Sequence, residues 1–335
     1  MTPTPFIQTV LGPVSPDAIG VTDCHDHLFI TGGVPVLRYP DFKLDDYVRI
    51  CGEMGDFRRA GGSAIIEMSP IDWGRDAAMM ARASRESDVH VIAATGFHKL
   101  FYYPDSHWVH HYSEDELVDL IVSELLEGMD GYNYSGPIVR RVAARAGVIK
   151  VGTQVARFTA TEEKLLQAAA RAHVATGAPI LTHTDEGALA FEQVEYLKAL
   201  GVAAGKIGLS HVDRCLDLGF HKELAATGVF LEYDAATRVT KGFDKSTAAL
   251  VVGMVAAGLQ DHLLLGADIS RQGYWCRYGG APGLAFLVGP YREQLAGSGL
   301  STEMLRRIYV ENPRALLVWQ RPAGLSATPE RQGGP

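Results

Sequence analysis

Short runs of apolar, often β-branched residues recur along the chain, and between many of them the apolar positions switch to helical spacing. Eight runs read as strands. They are Ala18–Val21 leading into "TDCHDH", "GGSAIIEMS" at 61–69, "VHVIAATG" at 89–96 and "GVIKVG" at 147–152, then "APILTH" at 178–183, "KIGLSH" at 206–211, "GVFLEYD" at 228–234 and "HLLLGAD" at 262–268. The segment "SEDELVDLIVSELLEGM" opens on Ser113 with Glu116 three residues on, the spacing of a capping box at a helix start. "TEEKLLQAAARAHVATG", from Thr161, stops at Gly177, and "LAFEQVEYLKALG" stops at Gly201, where glycine suits the left-handed turn that ends a helix. Strands alternating with helices predict a parallel sheet. Eight such units predict an α/β fold, a single closed (β/α)8 barrel. No G-x-G-x-x-G, P-loop, G-x-S-x-G or heptad repeat is present.

The length of 335 residues suits one such barrel, and no linker divides it. Residues 1–323 are read as one domain with a short N-terminal extension, and the Gly- and Pro-containing segment "GLSATPERQGGP" at 324–335 as a flexible tail. A composition of 47% hydrophobic and 21% charged residues supports a large core. The net charge of −8 argues against a nucleic-acid partner. The N-terminus lacks the basic and apolar regions of a signal peptide, and no apolar run of about 18 residues predicts a membrane span. Cys24, Cys51, Cys215 and Cys276 form no C-x-x-C pair, which fits reduced thiols and a cytoplasmic protein. Cys24, between Asp23 and His25, is read as a packing residue facing away from the histidines.

The chemistry sits at the ends of the runs. Active sites of such barrels lie at the C-terminal ends of the strands. His25 and His27 end the first run, and side chains at i and i+2 of a strand point the same way. A lone H-x-H is more often a hydrated strand end, so the pair needs partners. The fourth run carries Lys150, the fifth ends in His183, the sixth in His211 and the eighth in Asp268. Four imidazoles and a carboxylate converge on one mouth, enough N and O ligands for two divalent cations. Lys150 is the misfit, because an ammonium cannot ligate a cation.

The order H-x-H, Lys, His, His, Asp resembles the phosphotriesterase family of the amidohydrolase superfamily. The segments "TVLGPVSPDAIGVTDCHDHL", "AATGFH", "GVIKVGT", "ILTHT", "LSHVDR" and "ENPRALL" are similar to that family's, over a span from about Thr9 to Trp319. The resemblance implies a binuclear hydrolase with two divalent ions, zinc first among the candidates. His25, His27 and Asp268 would hold the more buried ion, and His183 and His211 the more exposed one. Lys150, N-carboxylated by CO2, would bridge them together with a hydroxide. Asp268 would be the catalytic group that orients the hydroxide and passes its proton to the leaving group.

Three loops at the mouth bear on the substrate. "TGFHKLFYYPDSHW" places His98 and Lys99 there, "ATRVTKGFDKS" places Arg238 and Lys241, and "DISRQGYWCRYGGAPG" places Arg271 and Tyr274. Any single surface lysine is more often merely solvated, but cations from three loops at one mouth imply an anionic substrate group. The "DISRQGYWCRYGGAPG" loop and the "GFHK" turn are similar to a branch that hydrolyses sugar lactones, some phosphorylated, in which a Lys, an Arg and a Tyr hold the phosphate; Lys241 (an approximate match), Arg271 and Tyr274 are the closest matches. The leading expectation is a lactonase for a small sugar lactone bearing a phosphate or carboxylate. The alternatives are an amidohydrolase of N-acyl amino or sulfonic acids and, third, a phosphotriesterase. A non-enzymatic binding protein would have lost ligands, and none is lost. A homodimer is compatible with this reading.

Overall fold

The computed structural model describes residues 4–154 and 156–319. The eight expected runs form one sheet in chain order, each strand parallel to the next. The strands are β1 (Thr22–Asp26), β2 (Ala64–Glu67), β3 (His90–Gly96), β4 (Ala146–Gly152), β5 (Ile180–His183), β6 (Ile207–Ser210), β7 (Phe230–Tyr233) and β8 (Leu263–Leu265). The sheet curls back on itself where β8 runs on past β1. There the His25 carbonyl accepts from the N–H groups of Ala267 (3.1 Å) and Asp268 (2.7 Å). Gly266 permits this seam, since a Cβ there would stand 2.6 Å from the His25 Cβ and 2.9 Å from its backbone nitrogen.

β1 starts later than the sequence suggests, because Pro16–Ala18 forms a 3-10 turn. A hairpin of Ile7–Thr9 and Gly12–Val14 precedes it, the short N-terminal extension. The chain returns to this end, with the Trp319 N–H donating to the Phe6 carbonyl (2.9 Å) and its indole Nε1 to the Gly147 carbonyl (2.9 Å). The tail at 324–335 lies outside the described residues.

The capping box at Ser113 and Glu116 starts the helix Glu114–Leu126 as expected. The helix Ala160–Thr176 starts earlier than Thr161, because Thr159 and Glu162 form its capping box, and it ends at Gly177 with φ +81°. Among the described residues no helix is long and apolar enough to cross a membrane.

Two buried apolar layers follow from the strand alternation. Ile65, Val91, Ile149, Ile180, Leu209 and Leu231 pack with the helices. Ile66, Ile92, Val148, Leu181, Phe230 and Leu264 form a separate inner cluster. Two residues further along the same faces stand Lys150, His183 and Glu232, so the inner cluster is the floor on which the polar groups rest. Cys24 does pack, as expected, but within this inner cluster rather than on the opposite face. The register of β1 against β2 shifts between Asp23 and Asp26, which breaks simple alternation there.

Candidate metal centre

The ends of five strands bring the histidines and carboxylates together. Asp268 Oδ1 lies 3.9 Å from His25 Nε2 and 3.7 Å from His27 Nε2. The His25 and His211 rings are 4.8 Å apart, and the His183 and His211 rings 4.5 Å. Among the described residues two groups have donor atoms close enough to share one cation: His25, His27 and Asp268, and His25, His211 and Asp234. His211 and Asp268 both sit in the left-handed region, at φ +68° and +47°. Non-glycine residues adopt it at a cost, and it turns these side chains off the ends of β6 and β8.

Each histidine is tethered through one ring nitrogen. Nδ1 of His25 meets Glu232 Oε2 (3.1 Å), Nδ1 of His27 meets Ser69 Oγ (2.9 Å) and Nδ1 of His211 meets Asp234 Oδ1 (2.8 Å). His183 is tethered the other way round, with Nε2 on Asp185 Oδ1 (3.0 Å). The tether selects the nitrogen left to donate a lone pair: Nε2 of His25, His27 and His211, and Nδ1 of His183. His25 Nε2 and His183 Nδ1 are buried without a hydrogen-bond partner. Such orphans are unfavourable, and a bound cation would satisfy them.

The protonation states fit the same use. Burial, then Lys150, holds His25 well below its ordinary value and His27 down to about 3. Burial brings His183 down to about 4, with the Asp185 bond opposing, and burial followed by Arg214 lowers His211 strongly. All four rings are therefore neutral, the form that ligates. Burial alone would raise Asp268, but the Arg238 and Arg214 guanidiniums hold it well below the usual carboxylate range. Burial and neighbouring carboxylates push Glu232 and Asp234 upwards, a strain that divalent cations would relieve. Lys150 is fully enclosed: its Nζ donates to the Met68 carbonyl (3.0 Å), and burial lowers it to about 8, with Asp268 and Glu232 opposing.

The centre opens into a cavity of about 190 Å3. Of the residues expected to meet substrate, His98, Lys99, Arg238 and Arg271 line it. The His98 ring stacks on Trp73 (5.3 Å), and Lys99 Nζ pairs with Asp185 (2.6 Å). Arg238 points inward, bonded to Asp268 and to the Asp234 carbonyl. Arg271 Nη1 is held by both oxygens of Asp41 (2.9 and 2.8 Å), and its guanidinium stacks 4.2 Å from the Phe42 ring. Lys241 and Tyr274 do not line the cavity. Lys241 is exposed at the end of a 3-10 turn, and the Tyr274 ring packs 5.6 Å from the Arg238 guanidinium. Trp73, Asp185, Arg214, Glu232 and Asp234 also stand at the centre, and sequence patterning does not single most of them out. Glu232 and Asp234 did leave a signal: two acids at alternate positions of an otherwise apolar strand, on the face that carries the ligands elsewhere.

Residues 5–317 match the sequence pattern of the phosphotriesterase family. The chain belongs to that family. It is, with the family, a hydrolase acting on ester bonds. Among curated members it is 37% identical to a phospho-furanose lactonase of Mycoplasmopsis synoviae, over 94% of this chain and 92% of the relative. Among solved structures it resembles an amidohydrolase from Mycoplasma synoviae, at a TM-score of 0.90 and 36% identity over 94% of this chain and 92% of the other. It also resembles a lactonase from Listeria monocytogenes, at a TM-score of 0.86 and 28% identity over 94% of this chain and 100% of the other.

Proposed function

We propose that this phosphotriesterase-family member is a binuclear metal-dependent lactonase acting on a small sugar lactone that carries a phosphate or carboxylate. The observation that carries the metal reading is the set of tethers. Four neutral imidazoles each have one nitrogen fixed by the protein and one left over, two of the leftovers buried without partners, all gathered around Lys150 and Asp268. His25, His27 and Asp268 would hold one ion, His183 and His211 the other, with Lys150 as its CO2 adduct between them. Two divalent ions held there would supply an acidified water as nucleophile and polarise the lactone carbonyl. The Lys150 amine, lowered by burial, has the neutral form that reacts with CO2 within reach near neutral pH.

Asp268 Oδ1 is the atom that takes the proton of the attacking water and returns it to the ring oxygen as the C–O bond breaks. Arg238 and Arg214 both lie on its other oxygen, Oδ2, which leaves Oδ1 facing His25 and His27, where that proton moves. Trp73 and His98 wall the cavity and keep its volume small, which suits a single ring.

The charge of the cavity wall favours an anionic group on the substrate. The lining includes the cations Lys99, Arg214, Arg238 and Arg271 against the carboxylates of Asp185 and Asp268. Arg271 commits only Nη1 to Asp41, so Nη2 and Nε remain to meet an anion. The lactone itself is favoured by the similarity to two proteins named lactonases.

A panel tests this reading. Zinc-loaded enzyme is assayed on phosphorylated and unphosphorylated sugar lactones, N-acyl amino and sulfonic acids, and a neutral phosphotriester. The highest kcat/KM is expected on an anionic lactone. Highest turnover of an N-acyl acid would replace the lactonase reading with the amidohydrolase one.

A further inference from the structure

The two oxygens of Asp268 have different surroundings. Oδ1 faces His25 Nε2 and His27 Nε2. Oδ2 accepts from Arg214 Nη2 at 2.8 Å and from Arg238 Nη2. The same Arg214 Nη2 lies 2.9 Å from His211 Nδ1 and 3.3 Å from Asp234 Oδ1. One guanidinium nitrogen therefore donates to carboxylates at the ends of β7 and β8, beside the His211 ring at the end of β6. This is not a surface arginine paired by chance: its side chain is only 21% exposed and its Nε is buried.

We propose that Arg214 is a positioning residue that holds Oδ2 of Asp268, so that only Oδ1 is offered to a cation beside His25 and His27. A free carboxylate can chelate a divalent ion through both oxygens. Chelation would fill a coordination position and draw Oδ1 away from the point where it receives a proton. With Oδ2 held by charge-assisted hydrogen bonds, the carboxylate cannot rotate into the chelating pose. Arg238 supplies the second bond to Oδ2, but it reaches neither His211 nor the Asp234 carboxylate, bonding only the Asp234 carbonyl. Arg214 hydrogen-bonds both the Asp268 carboxylate and Asp234, the tether of His211, so the two halves of the centre are set relative to each other through it.

The inference rests on Asp268 being a metal ligand, and the experiment separates the two. Apo-enzyme is reconstituted with Co2+ alone, and its visible absorption is recorded for the wild type, Arg214→Met and Arg214→Lys, alongside kcat and KM on the best lactone of the panel. Co2+ absorbs more weakly as its coordination number rises. In Arg214→Met the absorption is expected to weaken as Oδ2 becomes a ligand. Its kcat should fall about 10- to 100-fold, the usual range for a residue behind a ligand, with KM within about threefold of wild type. Arg214→Lys keeps a cationic donor and should recover part of both. A Met variant with the wild-type spectrum overturns the role of Arg214, as does an effect confined to KM. If the Met variant does not fold, the Lys variant decides: absorption and kcat both at wild-type level overturn the proposal, and both reduced support it. Wild-type enzyme that takes up no Co2+ would refute the metal reading itself.

Discussion

Asp234 grips His211 at two points: its Oδ2 accepts the backbone N–H at 2.9 Å, and its Oδ1 meets ring Nδ1 at 2.8 Å. The backbone bond holds His211 in its left-handed turn, and the ring bond sets which nitrogen is left to donate. Asp234→Asn keeps the size but offers only one acceptor oxygen. Metal content by elemental analysis is expected to fall below two ions per chain. Affinity for the weaker ion should drop about 10- to 100-fold, with the far-UV circular dichroism unchanged.

Lys150 is buried and lines the same cavity as His25, His27, His183, His211 and Asp268. Zinc-grown wild type is expected to approach two ions per chain, and Lys150→Ala to fall well below. One ion in the wild type would rule out the binuclear reading.

Asp268→Asn retains an oxygen beside His25 and His27 but loses the proton acceptor. A fall in kcat of about 10²- to 10⁴-fold is expected, the range for general acid–base groups. Steady-state kinetics at saturating metal checks it, and a change of only a few-fold would assign Asp268 another role.

Chelation tests how far the fold depends on metal. The histidines are fixed by Glu232, Ser69, Asp185 and Asp234, and the inner apolar cluster lies beneath them. Exhaustive chelation is expected to abolish hydrolysis and lower Tm while preserving the far-UV spectrum. Added zinc should restore activity and raise Tm with its concentration, as for any ligand that binds only the folded state.

Arg271→Ala separates substrate charge from metal chemistry. A charge-assisted hydrogen bond contributes about 1.5–3 kcal/mol, so kcat/KM for an anionic lactone should fall roughly 10- to 150-fold. The neutral counterpart should lose much less, and metal content should stay the same. Arg271 also ties its loop to Asp41 and Phe42. Equal losses on both substrates would make that fastening its whole role.

Much of this centre was legible because a strand has period two and a barrel presents its chemistry at one end. His25 and His27 followed from their spacing, and Lys150, His183, His211 and Asp268 from closing or neighbouring an apolar run. The tethers were harder to read. Glu232 lies inside a buried strand, where a carboxylate has no reason to stand unless something polar faces it, and the partner is 207 positions away. Lys241 and Tyr274 stand outside the cavity lining, and loop conformation leaves no periodicity in sequence that would show it. A turn ending at Gly242 (φ +78°) leaves Lys241 exposed, while Arg238, three residues earlier, points inward to Asp268. Arg214 gave even less warning, since nothing local distinguishes an arginine that reaches Asp268 from one that reaches water.

The seam between β1 and β8 has a consequence for synthesis. Asp23 and the Ala267 N–H it binds are 244 positions apart, so the first and last strands meet only after nearly all of the barrel has been translated. The shared carbonyl of His25 then places Asp268 beside the His pair in the same step that shuts the ring. A nascent chain stalled before β8 would carry every imidazole of the centre but not Asp268, and completion of the site beside His25 and His27 would therefore be among the last events in the maturation of this enzyme.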